Sequence, residues 1–208
     1  NSTFTSRGTS SLPAYGVYGY NGGDTATAKL QANYSTYGVL YNWWAAMNGG
    51  SSCNGTGESQ PTCSTPAQGI CPDGWHLPSH YELTALERAI CNSGSCVSDF
   101  PYDESTTGWR GTSEGSKLTN NAGLWANGIL DGHADFGTSG FSALPSGARS
   151  GNNGTFYDEG TRYYYWSSSD DEYNEYIVWR RCLRYDCSTV YRSYGDKEDG
   201  VSVRCVKN

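Results

Sequence analysis

The chain has 208 residues and a formal net charge of −7, with 14 Lys and Arg against 21 Asp and Glu. This balance argues against nucleic acid as a partner, because phosphate binding needs a clustered basic surface, and the arginines at Arg180, Arg181, Arg184 and Arg192 are surrounded by acids. The length suits one domain that buries roughly 70% of its unfolded surface, and 27 Gly and 17 Tyr with a single Met point to turns and short strands rather than long helices.

Residues 1–15 are small and polar and read as an N-terminal arm or linker end; residues 16–208 read as a single domain. Tyr37-Gly-Val-Leu-Tyr41 reads as a short strand, followed by a compact helix over Asn42–Met47 that Gly49-Gly50 stops. Residues 50–70, rich in Gly, Ser, Thr and Pro, form a loop held by cysteines. The strongest helix signal follows Pro78. Ser79 with Glu82 three residues on makes a capping box, and Leu83, Leu86 and Ile90 recur at helical spacing. Gly115–Leu118 is a further helical turn. From Phe141 the pattern changes to short strands over 141–145, 163–167, 177–183, 189–192 and 201–206, with turn chemistry such as Ser150–Gly154 between them. The expected class is α+β, with two early helices and a late antiparallel sheet, loop-rich and disulfide-stapled.

The eight cysteines include no CxxC pair, so disulfides in an oxidising compartment are expected rather than zinc or redox chemistry. Connectivity stays open at this level. The shortest closures are Cys53–Cys63, Cys91–Cys96 and Cys182–Cys187, which leave Cys71 with Cys205. No apolar run approaches the length of a membrane span and no signal peptide is present. Asn1 is therefore expected to begin a processed or truncated product that is exported to the cell or virion surface.

Catalytic and metal chemistry finds little support. His76 and His80 are four apart, but Pro78 interrupts any helix through both. His76 is expected to be a buried hydrogen-bonding residue, His80 an exposed first helical residue, and His133 stands alone. The acidic stretches Asp131–Asp135 and Asp170-Asp171-Glu172 could hold calcium, without any lectin calcium motif, so no cofactor is expected. Gly111-Thr-Ser113-Glu-Gly115 matches the nucleophile-elbow spacing, yet Thr107–Arg110 does not read as the strand that motif requires. Nothing selects one carboxylate pair for glycoside hydrolysis.

The stretch from Trp166 to Val206 is different. Tyr, Arg, Trp, Ser and Asp dominate it, the residues that give rigid contact area and planar charged hydrogen bonding in interfaces. If 177–183 and 189–192 pair as strands, Ile177, Leu183, Val190 and Val203 turn inward and Tyr176, Arg180, Arg184 and Tyr191 outward, a register that also turns Arg181 inward. The candidate ligand-binding residues are Tyr173, Tyr176, Arg180, Arg184, Asp186, Thr189, Tyr191, Ser193, Tyr194 and Asp196. The expected partner is a protein or glycan on another cell or particle, with no nucleic acid and no direct membrane span.

Five segments carry a family resemblance: Tyr37–Ala46, Cys71-Pro-Asp-Gly-Trp-His-Leu-Pro78, Gly140-Phe-Ser-Ala-Leu-Pro145, Trp166-Ser-Ser168 and Gly200-Val-Ser-Val-Arg-Cys-Val206. In this order they resemble the Fibrobacter succinogenes major paralogous domain family. The resemblance implies a C-type-lectin-like fold related to formylglycine-generating enzymes, and a Cys71–Cys205 bridge. Some members, like the major tropism determinant of a phage, resemble targets of diversity-generating retroelements, which rewrite template adenines in a C-terminal segment. Asparagine AAC codons can then become Tyr, Asp, Ser, Arg, Cys, Gly, Thr or His, but not Trp, Lys, Glu, Gln or Met. Arg184, Asp186, Thr189, Tyr191, Ser193, Tyr194, Gly195 and Asp196 all lie in that class, as do Cys182 and Cys187. Glu175, Trp179, Lys197 and Glu198 do not, and Leu183 and Val190 suit fixed apolar places. The expectation is a non-catalytic binding protein with a variable region over 170–199. The alternatives are an undiversified structural or adhesive module and a sulfatase-modifying-type enzyme, whose catalytic cysteines have no match here.

Overall fold

Six of the eight cysteines close the disulfides Cys53–Cys63, Cys91–Cys96 and Cys71–Cys205, the last tying the loop after residue 70 to the final strand. The computed structural model describes residues 12–171 and 173–208. In chain order its elements are β1 (Tyr15–Gly16), α1 (Thr25–Lys29), α2 (Ala32–Tyr37), β2 (Leu40–Tyr41), α3 (Trp43–Met47), β3 (Trp75–His76), α4 (His80–Ile90), α5 (Cys96–Asp99), β4 (Gly108–Arg110), α6 (Glu114–Leu118), β5 (Ser146–Arg149), β6 (Phe156–Glu159), β7 (Arg162–Asp170), β8 (Ile177–Arg184), β9 (Cys187–Asp196) and β10 (Val206–Lys207). The chain is thus a mixed α+β, disulfide-rich structure.

The main sheet runs β4-β9-β8-β7-β5-β6, antiparallel except where β5 lies parallel to β7; β1 with β2 and β3 with β10 form two small ribbons. Side chains alternate across a strand, so the sheet has a core on each side. Leu83, Phe100, Leu118, Trp125, Tyr163, Tyr165, Leu183 and Val190 pack beneath α4 and α6. Trp43, Met47, Leu77, Trp166, Val178, Cys182 and Val201 pack on the other side against α3. Gly115 lets α6 approach β9, since a Cβ there would stand 2.3 Å from the Thr189 carbonyl oxygen.

Helix α4 begins at the expected capping box. Ser79 Oγ accepts from Glu82 N at 3.0 Å, and Ser79 N donates to the Glu82 carboxylate at 2.9 Å, a cap worth about 1 kcal/mol. Leu83 is buried, with Leu86 and Ile90 at the margin of the same core. His80 departs from expectation. It is the first helical residue but fully buried, because its N–H donates to Ser169 Oγ at 2.8 Å and docks the helix start onto β7.

Other local readings shift. Tyr37 ends α2 rather than starting a strand, which leaves β2 with Leu40 and Tyr41. The 141–145 segment makes one bridge, Ala143 to Thr119, before the strand starts at Ser146. Val201 and Ser202 make isolated bridges, and only Val206–Lys207 forms a ladder in that stretch. Gly108–Arg110 forms a short half-buried strand at the edge of β9, not the buried strand that a nucleophile elbow requires. Of the arm expected over 1–15, residues 1–11 lie outside the described residues, while Ala14 is buried and its N–H donates to Asn42 Oδ1 at 2.9 Å.

The fourth expected disulfide is absent: Cys182 and Cys187 are free thiols. Cys182 lies opposite Tyr191, and Cys187 opposite Arg184. Cys187 is thus four residues along β9 from the position facing Cys182, ~13 Å at strand rise, well beyond the ~7 Å Cα limit for a bridge.

Candidate binding face

Strands β8 and β9 form a hairpin turned at Tyr185-Asp186, with Trp179 opposite Tyr194, Arg180 opposite Ser193, Arg181 opposite Arg192 and Cys182 opposite Tyr191. Opposed residues share a face. Trp179, Arg181, Leu183, Val190, Arg192 and Tyr194 look toward α4, whereas Arg180, Cys182, Arg184, Thr189, Tyr191 and Ser193 take the other, outer side. The four arginines that cluster in sequence are therefore divided two and two.

The inner pair is fully buried. Arg181 donates from Nε and Nη2 to the two oxygens of Glu87, the second at 3.2 Å, and from Nη1 to His80 Nδ1 at 3.1 Å. Arg192 donates to Pro101 O at 3.0 Å and Asp103 O at 3.2 Å, and its Nη2 lies 2.9 Å from His80 Nε2. His80 Nε2 is also 3.0 Å from Asp103 O. With a guanidinium donor at each ring nitrogen and a single carbonyl at Nε2, the imidazole is held in its neutral form. Burial, then Arg181 and Arg192, hold His80 well below the usual histidine range, and burial lowers Arg192 to about 10. The inward turn of Arg181, awkward in sequence, is thus met by a buried carboxylate from α4.

The outer side carries a continuous row. Trp109 of β4 stands opposite Tyr191, their rings 4.9 Å apart, and the Arg184 guanidinium lies 4.7 Å over Trp109. Arg184 Nε donates to Asp186 across the turn. Arg162 of β7 faces Arg184 directly, donates to the Tyr164 hydroxyl at 2.8 Å and stands 3.4 Å from Asp158. Tyr164 donates in turn to Asp158 at 2.7 Å, and burial raises its hydroxyl above the ordinary tyrosine value. Arg180 covers the Tyr164 ring at 5.1 Å and pairs with Asp199 at 3.1 Å. A Cβ at Gly195 would fall 2.6 Å from the Arg180 side chain, so glycine there gives Arg180 its place.

The ten residues chosen from sequence do not make one surface. Arg180, Arg184, Asp186, Tyr191 and Ser193 gather on or beside this row. Tyr173 and Tyr176, 95% and 69% exposed, lie in the loop at the opposite end of β8, and Tyr176 is eight residues, ~26 Å, from Arg184. Asp196 ends β9 near that loop, pairing with Ile177. Tyr194 is turned to the inner side, 4.2 Å from Trp179 and donating to Glu104 O at 2.9 Å. Thr189 shares the outer side but engages Cys187, its hydroxyl 2.9 Å from Sγ. Trp109, Arg162 and Tyr164 were not foreseen. They lie outside the Tyr- and Arg-rich stretch and reach the row only through strand pairing.

The remaining chemistry is local. His76 is buried between Asn208 at 2.6 Å and Glu82 at 2.9 Å. His133 accepts from Asp135 N at 3.1 Å. Ser113 follows β4 but is held by Asp135 at 2.9 Å as the start of α6, and β4 is a half-buried edge strand rather than the buried strand of an elbow. Burial pushes the Cys182 thiol up to about 12. Among the described residues no group of three or more His, Cys, Asp or Glu could hold a metal ion; Glu172, part of one acidic stretch, lies outside them. A groove lined by Tyr15, Tyr20, Tyr34 and Lys29, among others, shares no residue with the outer row.

These features define a disulfide-stapled α+β domain that presents aromatic and guanidinium groups on one side of its main sheet. The chain belongs to the family described as the Fibrobacter succinogenes major domain, which matches residues 5–207. No curated protein and no solved structure matches it. Three disulfides fit a secreted or surface protein, and among the described residues no helix is long and apolar enough to cross a membrane.

Proposed function

We propose that this chain is a non-catalytic ligand-binding protein of a cell or virion surface, built on a C-type-lectin-like scaffold, whose hairpin over about 171–196 is diversified by a retroelement. One observation carries the reading. Arg184, Tyr191 and Ser193, all residues that a rewritten AAC codon encodes, stand on the outer side of strands whose inner side is pinned by Trp179, Arg181, Leu183 and Val190. Substitution of Arg184 or Ser193 leaves that inner packing untouched, and a rigid sheet reduces the ordering cost of binding a protein or glycan. The contact set is narrower than composition suggests: Tyr194 is engaged with Trp179 and Glu104, and Arg192 with the core.

The undiversified adhesive module is the second reading. It is supported by the carboxylates Asp158, Asp186 and Asp199, which already engage the outer arginines. Arg184→Ala with Tyr191→Ala separates the two. The double variant is expected to lose one partner by ~2–4 kcal/mol while staying folded; unchanged binding favours the module. For diversification, the DNA flanking the gene should hold a near-copy of the 3′ segment that differs only at adenines, beside a reverse transcriptase gene. Absence of that copy defeats the retroelement part alone. A sulfatase-modifying activity draws no support from Cys182, whose raised thiol is a poor nucleophile at neutral pH.

A further inference from the structure

We propose that Arg162 and Arg184 form a clamp for a carboxylate, and that the ligand of the outer row is an acidic segment of a partner polypeptide. The inference rests on the outer row being a ligand-binding face and names the chemistry that face takes. The two arginines are directly opposed across β7 and β8, so their side chains leave the same side of the sheet with Cα atoms ~5 Å apart. Each already engages one carboxylate of its own chain, Asp186 on Arg184 and Asp158 on Arg162, and an anion set between the two guanidiniums would be attracted by both.

Hydrogen-bond capacity points the same way. Each guanidinium has five N–H donors. Arg184 donates through Nε to Asp186, and Arg162 uses Nη1 on Tyr164 and Asp158. Their side chains are 30% and 36% exposed, and the five N–H donors of each outnumber the bonds just named. A planar oxyanion accepts two such bonds at once. The Trp109 ring lies 4.7 Å from the Arg184 guanidinium, and a cation held against an aromatic face loses rotamer freedom, which preorganises the side chain for binding.

A carboxylate is favoured over sulfate because both arginines already take one from their own chain, so an Asp or Glu of a partner repeats a geometry the site displays. A polypeptide is favoured over a glycan by the flank. Arg184 lies over the Trp109 indole at 4.7 Å and the Tyr191 ring stands 4.9 Å from it, a mixed aromatic and guanidinium surface of the kind polypeptide side chains pack against.

The experiment titrates poly-L-glutamate into the full chain at low salt and follows tryptophan fluorescence. Binding is expected, and Arg162→Gln with Arg184→Gln should weaken it by about tenfold or more. Lys29→Gln with Lys207→Gln removes the same charge elsewhere and should change it little. Arg162→Lys with Arg184→Lys keeps the charge but not the fork and should also bind weakly; near-UV circular dichroism checks that each variant folds. Absence of polyglutamate binding, or equal loss in the two glutamine pairs, overturns the clamp. Tighter, arginine-dependent binding of dextran sulfate overturns the polypeptide assignment. If Arg184→Ala with Tyr191→Ala abolishes a captured natural ligand while polyglutamate fails to bind, the binding face stands and the clamp falls. If that alanine pair leaves the natural ligand bound, the face itself is wrong.

Discussion

Arg181 of β8 and Glu87 of α4 lie 94 positions apart in the chain and meet as a fully buried ion pair. Around them His80 and Arg192 complete a polar cluster that fastens the longest helix to the centre of the main sheet. Breaking such a pair strands a charge without solvent, whereas replacing both partners by apolar residues removes the desolvation penalty along with the attraction. Glu87→Ala is therefore expected to destabilise the fold by about 3–5 kcal/mol. Arg181→Met with Glu87→Met should restore most of that loss. Thermal unfolding of the three proteins decides it, and a double variant no better than the single would show that the pair has no coupled role.

The same cluster makes stability depend on pH. His80 titrates well below its unfolded value of ~6.5, so in acid the unfolded chain takes up the proton first. The contribution of neutral His80 is full above about pH 6.5 and is lost progressively as pH falls toward its folded value. Urea midpoints measured from pH 7.5 to 5 should fall, and His80→Gln should flatten the slope over that range. An identical slope in the variant would assign the dependence to other groups.

Two thiols with different fates follow from the hairpin register. Cys187 is part-exposed, while Cys182 is buried and raised to about 12. A thiol reagent should label Cys187 in the native state and reach Cys182 only on unfolding. Mass spectrometry of labelled peptides reads this directly. A Cys182–Cys187 disulfide in the isolated protein would contradict the strand register itself.

The disulfides should differ in weight. Cys71–Cys205 closes 134 residues and Cys91–Cys96 closes 5, so the chain-entropy relation assigns them about 5 and about 2 kcal/mol. Cys71→Ser with Cys205→Ser is expected to lower the melting temperature more than Cys91→Ser with Cys96→Ser. The reverse order would place the stabilisation in native packing.

Trp109 should act through its neighbours. Trp109→Ala is expected to weaken polyglutamate binding although the residue lies some 75 positions before Arg184. In a double-mutant cycle, the effects of Trp109→Ala and Arg184→Ala should be non-additive by more than about 0.5 kcal/mol. Simple additivity would mean that the indole does not hold the guanidinium.

Features with short-range causes were legible in the chain. The Ser79–Glu82 capping box, the Asn42–Met47 helix, the strands near 163–167 and 177–183 and the two close disulfides each depend on neighbours within a few positions. The Cys71–Cys205 bridge came with the family resemblance; the elimination that also reached it assumed a Cys182–Cys187 pair that does not form. What misled at Tyr194 was composition taken without register. It has the same residue type as Tyr191, yet the two stand an odd number of positions apart on β9 and go to opposite sides of the sheet, whereas the inward turn of Arg181 was already implied by strand alternation.

By itself, then, the sequence determined the class of the chain, its stapled loops, its best helix and the stretch where Tyr and Arg concentrate, because caps, turns and period-two patterns act locally. Only the tertiary structure decided which of those residues share a face. It brought Trp109 and Arg162 beside Tyr191 and Arg184, put His80 between two arginines and left Cys182 and Cys187 unbonded. Each outcome depends on which strand lies beside which and in what register, and that is set by burying both sides of the sheet at once.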